Sequence, residues 1–312
     1  MGTVVEIQAY GRRPEEAVAD AAREVGRLED LFTVHRATSE LSRLNAAAGE
    51  PTRLVGPEVA ELLAQAVAWA VASGGAFEPT IGPLTALWRR AAEKGRPPDP
   101  GEVTRAWDLV GYQHLTVDIA AGRAGLRHSG GSVDLGGIAK GYAADKVAAV
   151  LSQRGVSAAL INLGGNVRLV GRRPDGRPWR IGLRDPRDPA RCWAVLSAAG
   201  GAVVTAGDYE QFFEADGHRY HHLIDPRTGY PAQNGLAAVT VVAASSLDAD
   251  VLSTAAFVAG PAAGLELVRR SNAEAVLIGG DGRPRCTPGL RGRLETVSDG
   301  PAIEEVCPPL GD

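Results

Sequence analysis

The sequence predicts an α+β fold of mixed sheets packed with helices, in a single intimately packed unit. Three observations lead there. Helical apolar spacing dominates the first third of the chain. Strands alternate with helices after it. No internal repeat or low-complexity linker divides the 312 residues into separable pieces. A regular doubly wound sheet would instead alternate strand and helix throughout. With 45% hydrophobic residues, the chain has enough apolar surface for a sizeable core. By character it divides into a helix-rich part (about 1–100), a mixed α/β part (about 101–280) and a Gly/Pro-rich tail (281–312).

The elements follow in order. Residues 4–9 alternate apolar and polar side chains and predict a strand. Residues 14–31 carry apolar residues at helical spacing, with Pro14 in the first turn. SELSRL, 39–44, reads as a short capped helix. Residues 57–73 predict a long helix, opened by Pro57 and closed by Gly74-Gly75. Pro79 and Pro83 mark a turn before a short helix at 85–93, and GRPPDP, 95–100, predicts a loop. Short strands at 114–117 and 123–127 flank Gly122. Residues 132–135 predict a strand and 139–154 a helix. Strands at 158–162 and 167–170 surround Gly164-Gly165. Others at 180–183, 194–196 and 202–205 lie among Pro/Gly loops. Strands at 220–224 and 237–242 flank a DPRTG turn. Helices at 247–258 and 261–271 precede a strand at 275–278. The tail from 279 is expected to be partly loose.

Bulk properties exclude several classes. The net charge is −4 and no Lys/Arg block stands out, so nucleic-acid binding has no electrostatic support. Cys192, Cys286 and Cys307 are odd in number and lack CxxC spacing, which argues against a disulfide framework and a zinc site. A reduced compartment is the simplest reading, with a Cys286–Cys307 bridge left open. No apolar run approaches a membrane span. MGTVVEIQAY lacks a charged leader and an apolar segment, and Glu6 breaks the myristoylation pattern. The expectation is a cytoplasmic protein as given, with an exported or lipoprotein form left open for a truncated N-terminus.

Four segments carry polar groups in chemically suggestive patterns. In DLGGIAKG, 134–141, a strand breaks at a double glycine and restarts as a helix. Unpaired N–H groups at such a helix start attract phosphate. Lys140 sits in the first helical turn, where the macrodipole disfavours a cation unless an anion is bound. It is one of only three lysines, with Lys94 and Lys146. A solvated lysine beside a structural turn is the alternative. In SSLDADVLST, 245–254, Asp250 and Thr254 stand one helical turn apart and project from one face. A carboxylate with a hydroxyl suits Mg2+, which prefers oxygen and shares its coordination with waters and substrate phosphates. A capping Asp and a back-bonded Thr are the alternative.

In GHRYHHLIDPRTG, 217–229, His218 and His222 would share one strand face and His221 the other. A histidine there could act as a base, or the segment could be a polar hairpin. In GGAFEPTIGPLTALW, 74–88, an apolar loop held by two prolines offers Phe77 and Trp88 to wall a flat ligand, or simply forms a core corner.

Read together, MGT (1–3), EDLFTVHRATSELSRLN (29–45), SGGAFEPTIGPL (73–84), VDLGGIAKGYAADKV (133–147), INLGGNVRLVG (161–171), TAGDYE (205–210), HLIDPRTGYP (222–231) and ADVLSTAAFVAG (249–260) resemble, nearly end to end and in order, the FAD:protein FMN transferases of the ApbE flavin-transferase family. The resemblance implies a T-fold-related fold. It also implies a reaction in which FAD is a substrate rather than a redox cofactor. The hydroxyl of a threonine or serine in a partner flavoprotein attacks the FMN-side phosphorus, AMP leaves, and FMN stays attached through a phosphoester. Mg2+, with Mn2+ as the alternative ion, would serve the pyrophosphate.

Carried over residue by residue, the resemblance places Met1, His35, Ala76, Phe77, Glu78, Asp134, Lys140 and Ile224 at FAD-contacting positions. It places Gly137 (through its carbonyl), Asp250 and Thr254 at the metal, with Ser253 where some members carry an acid. His222 would deprotonate the acceptor hydroxyl and Asp225 would orient it. Three positions depart from the family pattern: His35 where tyrosine is common, Glu78 where aspartate is usual, and Ala206 where the family has serine. Metal-dependent FAD hydrolysis to FMN and AMP, or FAD binding without catalysis, remain as alternatives for the same residues.

Overall fold

The computed structural model describes residues 3–297 and 303–305. Strand β1 (Val5–Gly11) leads into α1 (Pro14–Phe32), then α2 (Glu40–Ala46), β2 (Arg53–Leu54), α3 (Pro57–Ala72), α4 (Gly82–Lys94) and α5 (Pro100–Trp107). After these come β3 (Leu115–Asp118), β4 (Arg123–Leu126), α6 (Ala139–Gln153), β5 (Val156–Leu163), β6 (Asn166–Val170), β7 (Trp179–Arg184), β8 (Cys192–Ala198) and β9 (Gly201–Gly207). Two short hairpins follow, β10 (Phe212–Ala215) with β11 (His218–His221) and β12 (Ile224–Asp225) with β13 (Tyr230–Pro231). The chain continues through β14 (Leu236–Ala243), α7 (Ser246–Ala259), α8 (Pro261–Arg270), β15 (Glu274–Gly279), β16 (Pro284–Cys286), β17 (Leu294–Thr296) and β18 (Glu304–Glu305).

The mixture of helices with mixed sheets is the predicted α+β class. The chain groups into two compact units built from non-contiguous segments. One comprises Gly26–Ala139 and Glu210–Ala232. The other comprises Lys140–Tyr209 with the described residues before Gly26 and after Ala232.

The second unit is built on an eight-stranded sheet of order β1-β5-β6-β9-β14-β15-β16-β18, antiparallel except for the parallel β16–β18 edge. β14 is buried along nearly its whole length. A near-continuous apolar run is what a strand covered on both faces requires. One cover is the three-stranded sheet β17-β8-β7, whose Trp179, Ile181, Leu183, Trp193 and Leu196 share a core with Val203, Val242 and Val276. The other is α7, which packs on β9 and β14. α7 is buried nearly all round, from Leu247 to Val258, as an internal helix should be.

The first unit holds α2 to α5, the β2-β4-β3 sheet and the two short hairpins. Leu84, Leu87, Trp88, Val103 and Ile224 form its local core between α4, α5 and the second hairpin. Ser39 caps α2 by accepting the Ser42 N–H (2.9 Å), as the sequence predicted.

Three elements differ from expectation. α5 falls where a loop ends and open chain was expected. Asp99 precedes Pro100 and its N–H donates to Glu102 (3.0 Å), so DPGE is a helix start. Residues 132–135 form no ladder, and only Ser132 bridges in parallel to Ile81. The extended backbone there is satisfied by the Asn45 side chain, which bonds both the N–H and the C=O of Val133, and by Pro79, whose carbonyl accepts from Asp134. The expected strand at 220–224 is two strands, interrupted at His222 and Leu223. The tail contains β16, β17 and β18; Cys307 lies outside the described residues.

Candidate active site

The start of α6 and the start of α7 meet in the sheet unit. Asp250 is buried (3% exposed) on the second turn of α7. Its Oδ2 accepts the N–H of Gly141 (2.9 Å), and its Oδ1 lies 3.4 Å from Nζ of Lys140. The helices can approach this closely because residue 141 has no side chain. A Cβ there would lie 2.6 Å from Cα of Leu247, 2.8 Å from Cβ of Asp250, and closer still to the carbonyl oxygen of Ser246. Lys140 therefore sets a positive charge against a buried carboxylate.

One turn further along α7, Thr254 is half-buried. Ser253 bonds back to the Asp250 carbonyl (2.9 Å), whereas the Thr254 hydroxyl makes no hydrogen bond among the described residues. The back-bonded threonine that competed with the metal reading is thus realised at Ser253 instead.

Asp145, a residue that the sequence does not single out, organises the same corner. Its carboxylate accepts from Ser245 Oγ (3.0 Å), Ser246 N (2.9 Å) and Leu247 N (3.0 Å), and pairs with Arg168 Nε (2.7 Å). The start of α7 is thereby saturated, leaving α6 as the helix start whose phosphate role is open. Asp145 stands in the same DLGGIAKGYAAD segment; its i+4 spacing from Gly141 was the available signal.

The double-glycine turn precedes α6. Asp134 Oδ1 accepts the Gly136 N–H (2.8 Å) and Oδ2 accepts the Thr85 hydroxyl (2.8 Å), so this aspartate shapes the turn. Thr85 is a second residue that the sequence did not single out. The N–H of Gly141, four residues after Gly137, donates to Asp250 and not back along the chain. The Gly137 carbonyl consequently accepts no hydrogen bond among the described residues.

These donors fit a hard divalent cation. They are the buried Asp250 carboxylate and, one turn along the same helix, the Thr254 hydroxyl with unused lone pairs. Among the described residues no cluster of three or more His, Cys, Asp or Glu could hold a metal. A site of so few protein ligands suits an ion that keeps waters and shares substrate phosphates.

In the helical unit, Glu78 is buried and its carboxylate is occupied. Oε1 accepts from the N–H (2.8 Å) and hydroxyl (2.7 Å) of Thr80, and Oε2 accepts from the Tyr112 N–H (2.9 Å). Thr80 in turn accepts from Gly111 N (2.7 Å), so Glu78 ties the 78–80 loop to residues 111–112. Ala76 and Phe77 are buried beside it, while His35 is exposed, its N–H on Thr33 Oγ1 (3.2 Å). Met1 lies outside the described residues.

Trp88 does not wall an open pocket. It is buried, stacks on Tyr220 (centroids 5.5 Å apart) and donates to the Gly229 carbonyl (2.8 Å), so the core-corner reading holds there. Ile224 shares that core.

His222 follows the end of β11 and is exposed, so it does not share a strand face with His218. Its Nδ1 lies 3.3 Å from the Gln211 carbonyl oxygen. A carbonyl can only accept, so Nδ1 is the donor there, and in the neutral tautomer Nε2 is the acceptor atom. His221 is buried. Its Nε2 donates to the Ala232 carbonyl (2.9 Å) and its Nδ1 accepts from Leu223 N (3.3 Å). Burial pushes its pKa below the ordinary value, against the raising effect of the Ala232 bond and with help from Arg219.

Asp225 does not reach His222. Its carboxylate accepts from Arg227 N (2.9 Å), Nε (2.8 Å) and Nη2 (2.8 Å), which closes the DPRTG turn on itself. The bond to Asp225 raises the Arg227 pKa.

A mixed α+β scaffold whose sheet unit sets a buried carboxylate beside an unbonded hydroxyl suits phosphoryl-group transfer. Comparison with known proteins narrows it. The sequence model described as the ApbE family matches residues 1–277. The FAD:protein FMN transferase of Treponema pallidum (strain Nichols) is 36% identical over 316 residues, covering 95% of this chain and 87% of the relative. That of Klebsiella pneumoniae (strain 342) is 38% identical over 281 residues, covering 89% and 86%. The crystal structure of the ApbE protein from Thermotoga maritima MSB8 superposes with a TM-score of 0.86 at 32% identity, covering 94% of this chain and 96% of that one. The chain belongs to the ApbE family.

Proposed function

We propose that this protein, acting as one flavin-transferase domain over residues 1–312, moves FMN from FAD to a threonine or serine hydroxyl of a partner flavoprotein and releases AMP. The acceptor oxygen forms a bond to the FMN-side phosphorus and the pyrophosphate P–O bond to AMP breaks. His222 Nε2 takes the hydroxyl proton. Phosphoryl transfer of this kind depends on positioning and charge neutralisation more than on covalent help. A divalent cation, Mg2+ or Mn2+, held by Asp250, Thr254 and the Gly137 carbonyl would neutralise the pyrophosphate. Lys140 adds a second positive charge at the same corner. Ala76, Phe77, Glu78, Asp134, Ile224, His35 and Met1 belong to the flavin-holding part of this reading, with Glu78 and Asp134 fixing the backbone of their loops.

The observation that carries it is the pairing of the buried Asp250 carboxylate with an unbonded Thr254 hydroxyl one turn away. Incubation with FAD, Mg2+ and a threonine-bearing flavoprotein should give a denatured acceptor band with flavin fluorescence. The band should disappear with EDTA. His222→Ala should keep FAD binding and lose about 10²–10⁴-fold in transfer rate. No labelled band under saturating conditions contradicts the reading, and AMP with free FMN in the absence of acceptor would favour hydrolysis instead.

A further inference from the structure

The starts of α6 and α7 cap each other. Gly141, in the first turn of α6, donates its N–H to Asp250, four residues after Ser246. In return Asp145, four residues after Gly141, accepts the N–H groups of Ser246 and Leu247 and the hydroxyl of Ser245. Each helix thus supplies, one turn in, the carboxylate that satisfies the other's unpaired N–H groups.

The two carboxylates differ in their counter-charges. Asp145 pairs with Arg168 (2.7 Å), and Arg168 is itself fixed by the carbonyls of Leu169 (2.9 Å) and Gly201 (3.0 Å) on β6 and β9. Asp250 pairs at 3.4 Å with Lys140, whose side chain is 29% exposed. One arm of the exchange is anchored to the sheet and already neutralised. The other carries a cation at a longer 3.4 Å and a carboxylate with lone pairs to spare. Three bonds at Asp145 set the depth and rotation of α7 against α6. Asp250 and Thr254 project from that helix, and a rotation by one residue would swing them through about 100°.

We propose that Asp145 is a positioning residue for the cation site: its reciprocal cap holds α7 in the register that presents Asp250 and Thr254 together. The proposal rests on the reading of Asp250 as a metal ligand. Outer groups that orient metal ligands typically control about 10–100-fold in metal affinity.

The test is Mn2+ binding to the FAD-free full chain, followed by the electron paramagnetic resonance signal of free Mn2+, with thermal unfolding of each variant alongside. Asp145→Asn should weaken Mn2+ binding by about 10–100-fold. Ser245→Ala, a milder change to the same cap, should weaken it by about 2–5-fold. Asn234→Ala removes a bond to the Phe257 carbonyl (2.6 Å) at the far end of α7. It should lower the melting temperature and leave Mn2+ affinity unchanged. Wild-type affinity in both Asp145→Asn and Ser245→Ala would overturn the proposal. So would a loss in Asn234→Ala that matches Asp145→Asn at equal melting temperature. Absence of Mn2+ binding by the wild-type chain would instead overturn the metal reading on which the proposal stands.

Discussion

At the scale of single residues, the charges are placed for two different duties. Lys140 neutralises Asp250, a carboxylate that is only 3% exposed. Removing one partner of such a pair leaves a buried charge uncompensated. Lys140→Met should therefore destabilise the metal-free protein by roughly 1–3 kcal/mol, and saturating Mg2+ should recover most of that loss. Thermal unfolding with and without the ion checks it; equal destabilisation in both conditions would contradict it.

His221 makes a separate prediction. Burial holds its folded-state pKa below the ordinary 6.5, so below that pH the unfolded chain binds the extra proton first. The stability tied to this residue is fully present above about pH 6.5 and is lost as pH falls toward the depressed folded value. Urea unfolding at about pH 7.5 and about pH 5.5 should show a larger loss in the wild type than in His221→Gln. Its neighbour His222 is exposed, with Nδ1 on the Gln211 carbonyl.

At the scale of elements, the α6–α7 contact is the feature that one substitution tests best. A methyl group at Gly141 would collide with the backbone of Ser246 and Leu247, atoms that cannot swing aside. Gly141→Ala should cost about 1–3 kcal/mol by overpacking, and should weaken cation binding by more than the stability loss alone explains. Titration calorimetry with Mn2+ at a temperature where the variant is fully folded separates the two effects.

Elements also show what could be read from the sequence. The helices with proline starts and glycine stops, α3 and α4, were legible because their caps are local. The segment at 132–135 was not. Its alternation mimics a strand, yet its hydrogen bonds go to Asn45, far away in sequence. Asp99, Pro100 and Glu102 spell the start of α5, but the preceding GRPP run reads as loop and masks it. Asp250 and Thr254 were legible as a pair from i, i+4 spacing. The roles of Asp145, Thr85 and Glu78 as loop and helix anchors depend on partners distant in sequence, and only Asp145, four residues after Gly141, carries even a local hint.

At the scale of the whole molecule, the chain passes between its two compact units at Val25, Ala139, Tyr209 and Ala232. These points fall within α1, at the start of α6, and beside the motifs TAGDYE and HLIDPRTGYP. Local signals cannot reveal such interleaving, since the α1 crossing shows no break in helical spacing. The motifs nevertheless lie at these passages: DLGGIAKG straddles one of them, with the glycine turn in one unit and Lys140 in the other.

In the proposed reaction the protein cuts FAD in order to hand its FMN half to a protein hydroxyl. The most direct measurement is the ratio of AMP released to flavin covalently attached, with Mg2+ present, using an acceptor and its Thr→Ala variant. One AMP should appear for each flavin attached, and no AMP above background with the Thr→Ala acceptor. AMP released at an equal rate with either acceptor, or FAD bound without AMP release at any Mg2+ concentration, would contradict it.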